Sequence, residues 1–299
     1  MDLQRILAVL FSFVFSTLIH ALPDPGSNPG IAFVHGTRDH REDAYGGYWK
    51  VDFIQNVSQG LSKPENHFVA HCDFNQYMWH KDAALCVADQ LLEFISDKNI
   101  SSLTVYTHSD GANIIRWILS NPTYDGRFMA LKRKITQVIA IAPSSAGTPL
   151  ADEVLNGGMF ETSLAWLLGY ISDAVKQQRV GDMLIFNEEV LLGGKGRPSL
   201  SIPFKVIVGT DVYASPFSSD SYCNGYFQNS GLKIAKLYLD KCADGFLNCT
   251  SQASAGDLWF YDIDKTERNA PLSHNQSRHS CFGLDKLLIS ALTAQGAVQ

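Results

Sequence analysis

The sequence predicts an α/β protein, with a mainly parallel sheet flanked by helices in one domain. Short apolar runs of strand length alternate with stretches of helical periodicity, the pattern of parallel strands joined by crossover helices. The segment Ser102 to Trp117, SLTVYTHSDGANIIRW, reads as buried strand, sharp turn and helix. Leu103, Val105 and Tyr106 precede the turn, and Ile114, Ile115, Trp117 and Ile118 follow it. At 299 residues, 45% of them hydrophobic, the chain can bury one large core.

Taken in order, residues 1–21 have the parts of a secretory signal: Arg5, an apolar run from Ile6 to Ile19, and the small Ala21 at the expected cut. The run is short for a membrane span, and Pro23 and Pro25 follow at once. Cleavage is therefore expected, with 22–299 as the single folded domain. After a Pro/Gly linker over 22–30, Ile31–Val34 is a strand ending in His35-Gly36-Thr37, and Phe68–Phe74 is a second strand. Ala83–Ile95 places Leu85, Ala88, Leu91, Leu92 and Ile95 on one helical face. Beyond the central strand and helix, Val138–Ala142 and Phe204–Val208 are further strands and Leu284–Leu292 is the closing helix. The interval 150–202 breaks this rhythm. It offers an apolar helical patch, Leu164, Trp166, Leu167, Leu168, Tyr170 and Ile171, too short to span a membrane. It reads as a cap or lid insertion presenting apolar surface to a greasy substrate, or equally as a packed helix. Gly157-Gly158 and Gly193-Gly194 are candidate hinges.

A net charge of −6 with no basic run excludes an electrostatic nucleic-acid binder. Six cysteines, an even number in an exported chain, predict disulfides. Proximity in the chain suggests Cys72–Cys86 and Cys223–Cys242, leaving Cys249–Cys281, although spacing does not fix connectivity. Sequons at Asn56, Asn99, Asn248 and Asn275 fit a secretory route.

The turn Thr107-His108-Ser109-Asp110-Gly111 is where chemistry is concentrated. A Ser in a tight strand-to-helix turn has a strained backbone and close neighbours, so the positions two before and two after it must be small. Gly111 meets this; Thr107 is bulkier. The turn leaves the hydroxyl at a helix N-terminus, which favours a developing oxyanion. The bland alternative is Ser109 as a helix N-cap. A nucleophilic Ser needs a base and an orienting carboxylate, and with such a turn their chain order is Ser, acid, His. Of nine histidines only His274 and His279 lie downstream, both in the polar loop before the last helix. His274 is preferred, because His279 is two residues from Cys281. For the acid, Asp244 beside Gly245 is preferred, with Asp211 at the end of the Phe204–Val208 strand as runner-up; each also fits an ordinary turn Asp. The two oxyanion donors are expected to be the N–H groups of Thr37 and Asp110, the carboxylate of Asp110 pointing away to cap the helix. His67 and His71 lie four apart on a strand, where that spacing is not a chelating face, and no C-x-x-C pair occurs, so neither metal nor cofactor is expected.

With these residues in view the chain resembles the α/β-hydrolases of the secreted bacterial-lipase kind, over residues 31–292. The matching pieces are FVHGT at 33–37, THSDG at 107–111, APSSAGTPLAD at 142–152, ADGF at 243–246 and LSHNQSRHSCFG at 272–283. The resemblance implies Ser109, Asp244 and His274 as a catalytic triad with Thr37 and Asp110 as oxyanion donors. It departs at Thr107, where Gly is usual, and at Gln276, where bacterial lipases often carry a calcium-binding Asp, so calcium is not carried over. The expected activity is hydrolysis of carboxylic esters, of lipids above all, by a secreted or secretory-lumen protein touching lipid surfaces transiently. A phospholipase, acyltransferase or thioesterase on the same triad, or a binding pseudoenzyme, are the alternatives.

Overall fold

The computed structural model describes residues 27–157, 171–223 and 225–293. The signal segment 1–21, Gly158 and the apolar patch from Leu164 to Tyr170 lie outside the described residues. Six strands form one parallel sheet: β1 (Pro29–Val34), β3 (His67–Val69), β5 (Ser102–His108), β6 (Ile135–Ile141), β7 (Phe204–Val208) and β8 (Asp257–Tyr261), in the spatial order β3-β1-β5-β6-β7-β8. The middle strands read as near-continuous apolar runs because helices cover both faces of the sheet. One buried cluster gathers Val87, Leu91, Val105, Ile114 and Ile118, and the other Ile31, Phe33, Phe53, Tyr106, Leu284 and Leu288.

The flanking helices are α1 (Val51–Ser58), α2 (Cys86–Asp97), α3 (Gly111–Ser120), α4 (Gly126–Lys132), α5 (Pro149–Leu155), α6 (Asp173–Gln177), α7 (Val180–Glu189), α8 (Tyr226–Ala235), α9 (Cys249–Gln252) and α10 (Leu284–Thr293). A π-helical turn over Lys81–Leu85 runs directly into α2, which accounts for the early start of its apolar periodicity. Among the described residues no helix is long and apolar enough to cross a membrane.

Three sequence expectations need correction. The run Phe68–Phe74 is not one strand. After β3 the chain turns at Ala70–Cys72, and β4 (Asp73–Phe74) pairs antiparallel with β2 (Arg38–Asp39) in a separate two-stranded ribbon. The Cys72–Cys86 disulfide ties that bend to the start of α2. That pair is as expected, but the other two are exchanged: Cys223 pairs with Cys281, and Cys242 with Cys249. The acid turn between Cys242 and Cys249 is tight enough for the Cys249 N–H to donate to the Cys242 carbonyl at 3.0 Å, bringing the two sulfurs together. Finally, Gly193-Gly194 is not loose: Gly256 N–H donates to Gly193 O at 2.9 Å and Gly194 bridges Ala255. Strand β8, at the sheet edge and part exposed, lacks the apolar run that marks the others.

Candidate active site

Ser109 sits between β5 and α3 with φ at 54°, a left-handed conformation costly for a residue with a side chain. Packing imposes it. A Cβ on Gly111 would lie 2.1 Å from the His35 carbonyl oxygen, and one on Gly36 2.8 Å from the Ser109 Cβ. The loop after β1 is therefore pressed directly onto the turn, and both contacts require glycine. His35 braces that loop from within: it donates from Nδ1 to Gly36 O at 2.7 Å, accepts from Cys72 N–H at Nε2, and stacks on Phe74. Burial drives its pKa down to about 3, so it stays neutral. Among the described residues neither the Thr37 nor the Asp110 backbone N–H donates to a protein acceptor, and Thr37 lines the cavity over Ser109.

His274 and Asp244 converge on this serine. His274 Nε2 is 3.1 Å from Ser109 Oγ, and its Nδ1 donates to Asp244 Oδ2 at 2.7 Å. Asp244 is fully buried, and its Oδ1 accepts from the N–H groups of Phe246 at 2.9 Å and Leu247 at 2.7 Å. Gly245, at φ 92°, makes this turn possible. The His274 ring stacks on Phe246, with centroids 4.7 Å apart. Its backbone is fixed at both ends: the N–H donates to Asp244 O at 2.8 Å, and the carbonyl accepts from His108 Nε2 at 2.9 Å. Asp211 and His279 lie elsewhere. Asp211 pairs with Lys236 on the surface. His279 is buried beside Arg278 and Lys50, and burial lowers its pKa to about 3.

Several supporting groups carry no sequence signal. Tyr48 O–H donates to His108 Nδ1, which fixes the proton of that imidazole on the nitrogen facing His274 O. Asp110 does not cap α3. Its carboxylate accepts from Asn113 at 3.0 Å and Gln177 at 3.1 Å, and also from Gln178, so the end of α6 is tied to the residue after Ser109. Burial raises the Asp110 pKa to about 6 against those bonds. Asp262, raised by burial to about 6, accepts from the N–H groups of Thr210 and Leu272 and so anchors the His274 loop to the end of β7. Gln276 holds the same loop, accepting from Ser273 N–H and donating to Cys223 O. The stretch APSSAGTP links the parts: Ser144 N–H donates to Ser109 O, Thr148 Oγ1 to Phe246 O, and Thr148 N–H to Gln178 O.

No protein-family model and no curated protein matches the sequence. Solved structures do match in shape. The mature lipase BlEst2 of Bacillus licheniformis superposes with a TM-score of 0.63 at 17% identity, covering 92% of this chain and 94% of that one. The fold is that of the α/β-hydrolases. Lipase 1 of Pelosinus fermentans, at TM-score 0.59 and 14% identity, covers 91% of this chain and 100% of its own. A metagenomic carboxyl esterase gives 0.55 at 12% identity, over 91% of this chain and 77% of its own.

Proposed function

We propose that this α/β-hydrolase chain is a secreted serine hydrolase that cleaves carboxylic esters, lipid esters above all. The observation that carries the reading is the unbroken hydrogen-bonded line from Asp244 through His274 to Ser109 Oγ. As Oγ attacks the acyl carbon, its proton passes to His274 Nε2, and Asp244 holds the resulting imidazolium. The N–H groups of Thr37 and Asp110 receive the charge on the carbonyl oxygen. His274 then returns the proton to the departing alkoxide. Water, deprotonated by the same nitrogen, attacks the acyl-enzyme and releases the acid. The similar structures, two lipases and a carboxyl esterase, agree with ester hydrolysis at this level.

A lipid substrate is supported by the surface next to the cavity. Leu232 of α8 lines the cavity, while Phe227 and Ile234, seven residues apart on the same helix, lie exposed, as does Leu237 just beyond its end. Phe217 is 97% exposed and Phe227 85%, more apolar surface than water alone favours. The interval 150–202 is read as a lid over this site, supported by exposed Leu184 and Ile185 on α7 and by the bonds from Gln177 and Gln178 to Asp110. Export is supported by the three disulfides. Ser109→Ala should lower the hydrolysis of a p-nitrophenyl ester series by several orders of magnitude and abolish labelling by a fluorophosphonate. A folded Ser109→Ala protein with parental activity overturns the reading.

A further inference from the structure

The four sequons enter the fold in different ways. A glycan on an Asn replaces one N–H of the side-chain amide by a bond to a bulky polar sugar, so the folded chain must spare that hydrogen and leave the sugar in solvent. Asn99 meets both demands. It is exposed, in the turn between α2 and β5, and Ser101 of the same sequon is exposed as well. Its φ is 53°, a left-handed conformation that Asn adopts more readily than most residues. Other groups hold the turn. Asn99 N–H donates to Ser96 O at 3.2 Å, and Asn28 Nδ2 donates to Lys98 O at 2.8 Å and to Asn99 O at 2.9 Å. The side-chain amide of Asn99 has no bonding partner among the described residues.

The amides of the other three are engaged. Asn56 Nδ2 donates to Asp285 Oδ2 at 2.8 Å, and the hydroxyl of its sequon, on Ser58, is buried and donates to Ile54 O. Asn248 is half-buried beside the disulfide-bonded Cys249, and its Oδ1 accepts from Asp240 N–H at 2.9 Å. Asn275 is the most constrained. It lines the cavity over Ser109, its Oδ1 accepts from Arg278 and its Nδ2 donates to Gln228 Oε1 at 3.5 Å, while Ser277 of its sequon is buried. A sugar there would stand in the cavity wall next to His274.

We propose that Asn99 carries an N-linked glycan and that Asn275 carries none. The inference rests on the reading of residues 1–21 as a secretory signal, in a cell whose lumen holds an oligosaccharide linked to a lipid diphosphate. In the transfer, Asn99 Nδ2 bonds to the anomeric carbon of that oligosaccharide and gives up one proton. The bond from the same carbon to the diphosphate oxygen breaks, its electron pair leaving with the oxygen. β5 separates the sugar from the catalytic turn: Asn99 precedes the strand and Ser109 follows it, across a rise of about 20 Å at roughly 3.3 Å per residue.

The full chain, residues 1–21 included, is expressed in insect cells and collected from the medium. Peptide N-glycosidase in H₂¹⁸O converts each glycosylated Asn to ¹⁸O-labelled Asp, and peptide mass spectrometry reads the four sites. The expected result is conversion at Asn99, the highest of the four, and none at Asn275. Asn99→Asp, which suits the left-handed turn, and Ser101→Ala, which removes the sequon hydroxyl, should each abolish the sugar at 99 and leave the rate of the secreted chain on p-nitrophenyl butyrate unchanged. If neither variant is secreted, the map of the parental chain alone decides. A secreted chain with Asn99 bare, or less occupied than any other sequon, overturns the inference while the export reading stands. So does a sugar on Asn275. A fall in the rate of the folded variants overturns the placement of the sugar away from the cavity. A chain retained in the cells with no sugar at any sequon overturns the export reading and this inference with it.

Discussion

Replacing Asp244 by Asn tests the line from acid to base. In the parent, Oδ1 accepts two backbone N–H groups, from Phe246 and Leu247, and Oδ2 faces His274 Nδ1 at 2.7 Å. An amide has one oxygen for these two positions. Its oxygen must take the Oδ1 position, because the reverse would set its N–H₂ against two buried donors, at about 1–3 kcal/mol for each one left unpaired. The amide nitrogen is then left facing Nδ1, which must become an acceptor. An imidazole of that tautomer carries its proton on Nε2, the atom 3.1 Å from Ser109 Oγ, and has no lone pair there for the serine proton. In serine hydrolases this reversal costs on the order of 10⁴ in kcat, about 5.5 kcal/mol of barrier. Rates on p-nitrophenyl butyrate should fall accordingly while circular dichroism and the urea midpoint show a folded protein. Asp211→Asn is the control: Asp211 lies on the surface with Lys236 and, at 3.9 Å, Lys233. Activity of Asp244→Asn within tenfold of the parent, with loss on Asp211→Asn, would refute the reasoning.

Three further outcomes follow from single contacts. The Asp110 carboxyl rises from 3.8 to about 6 on burial, so the folded chain binds its proton more tightly than the unfolded one; the resulting stability is complete below about pH 3.8 and is lost as pH rises through about 6, on the order of 3 kcal/mol. Asp110→Asn should therefore flatten the decline of urea-unfolding free energy between pH 4 and 7, and unchanged slopes would contradict it. Gly111→Ala would set a Cβ 2.1 Å from His35 O and 2.9 Å from Val34 O, both backbone atoms; the cost should reach about 3 kcal/mol or more, and a parental melting temperature would reject the packing described. Opening Cys223–Cys281, across a separation of 58 residues, should cost roughly 4 kcal/mol by loop entropy, against roughly 2.5 for Cys242–Cys249 with a separation of 7, as equilibrium unfolding of the paired Ser variants would show.

The parts of this molecule legible in the sequence are those governed by local pattern. The strand Phe204–Val208 and the helix beginning at Leu284 are apolar runs between breakers, and their bounds agree with the sequence to within a residue. The turn at Ser109 announces itself because steric crowding restricts which residues can flank it. β8 was not legible because an edge strand with Asp257 and Leu258 exposed has no apolar run to display. The disulfides follow a related rule: chain proximity favours Cys223–Cys242, whereas packing of the segment before α10 brings Cys281 to Cys223.

The site divides in the same way. Ser109, Asp244 and His274 were candidates because their chemistry demands an order along the chain. In the proposed mechanism Tyr48, His108, Gln177 and Gln178 take no part in the acyl chemistry, so any polar residue of suitable reach would look alike in sequence. Their contribution is three-dimensional. His108 grips the carbonyl of His274, 166 residues away, and Gln177 and Gln178 grip the carboxylate that follows Ser109. An Asp next to the proposed oxyanion site is electrostatically adverse unless its charge is spread or its proton retained. The three amides do the first and burial promotes the second, and through the same bonds Asp110 joins the turn to α6. Removing Gln177 and Gln178 together should thus disturb the turn through Asp110 even though neither side chain lines the cavity over Ser109.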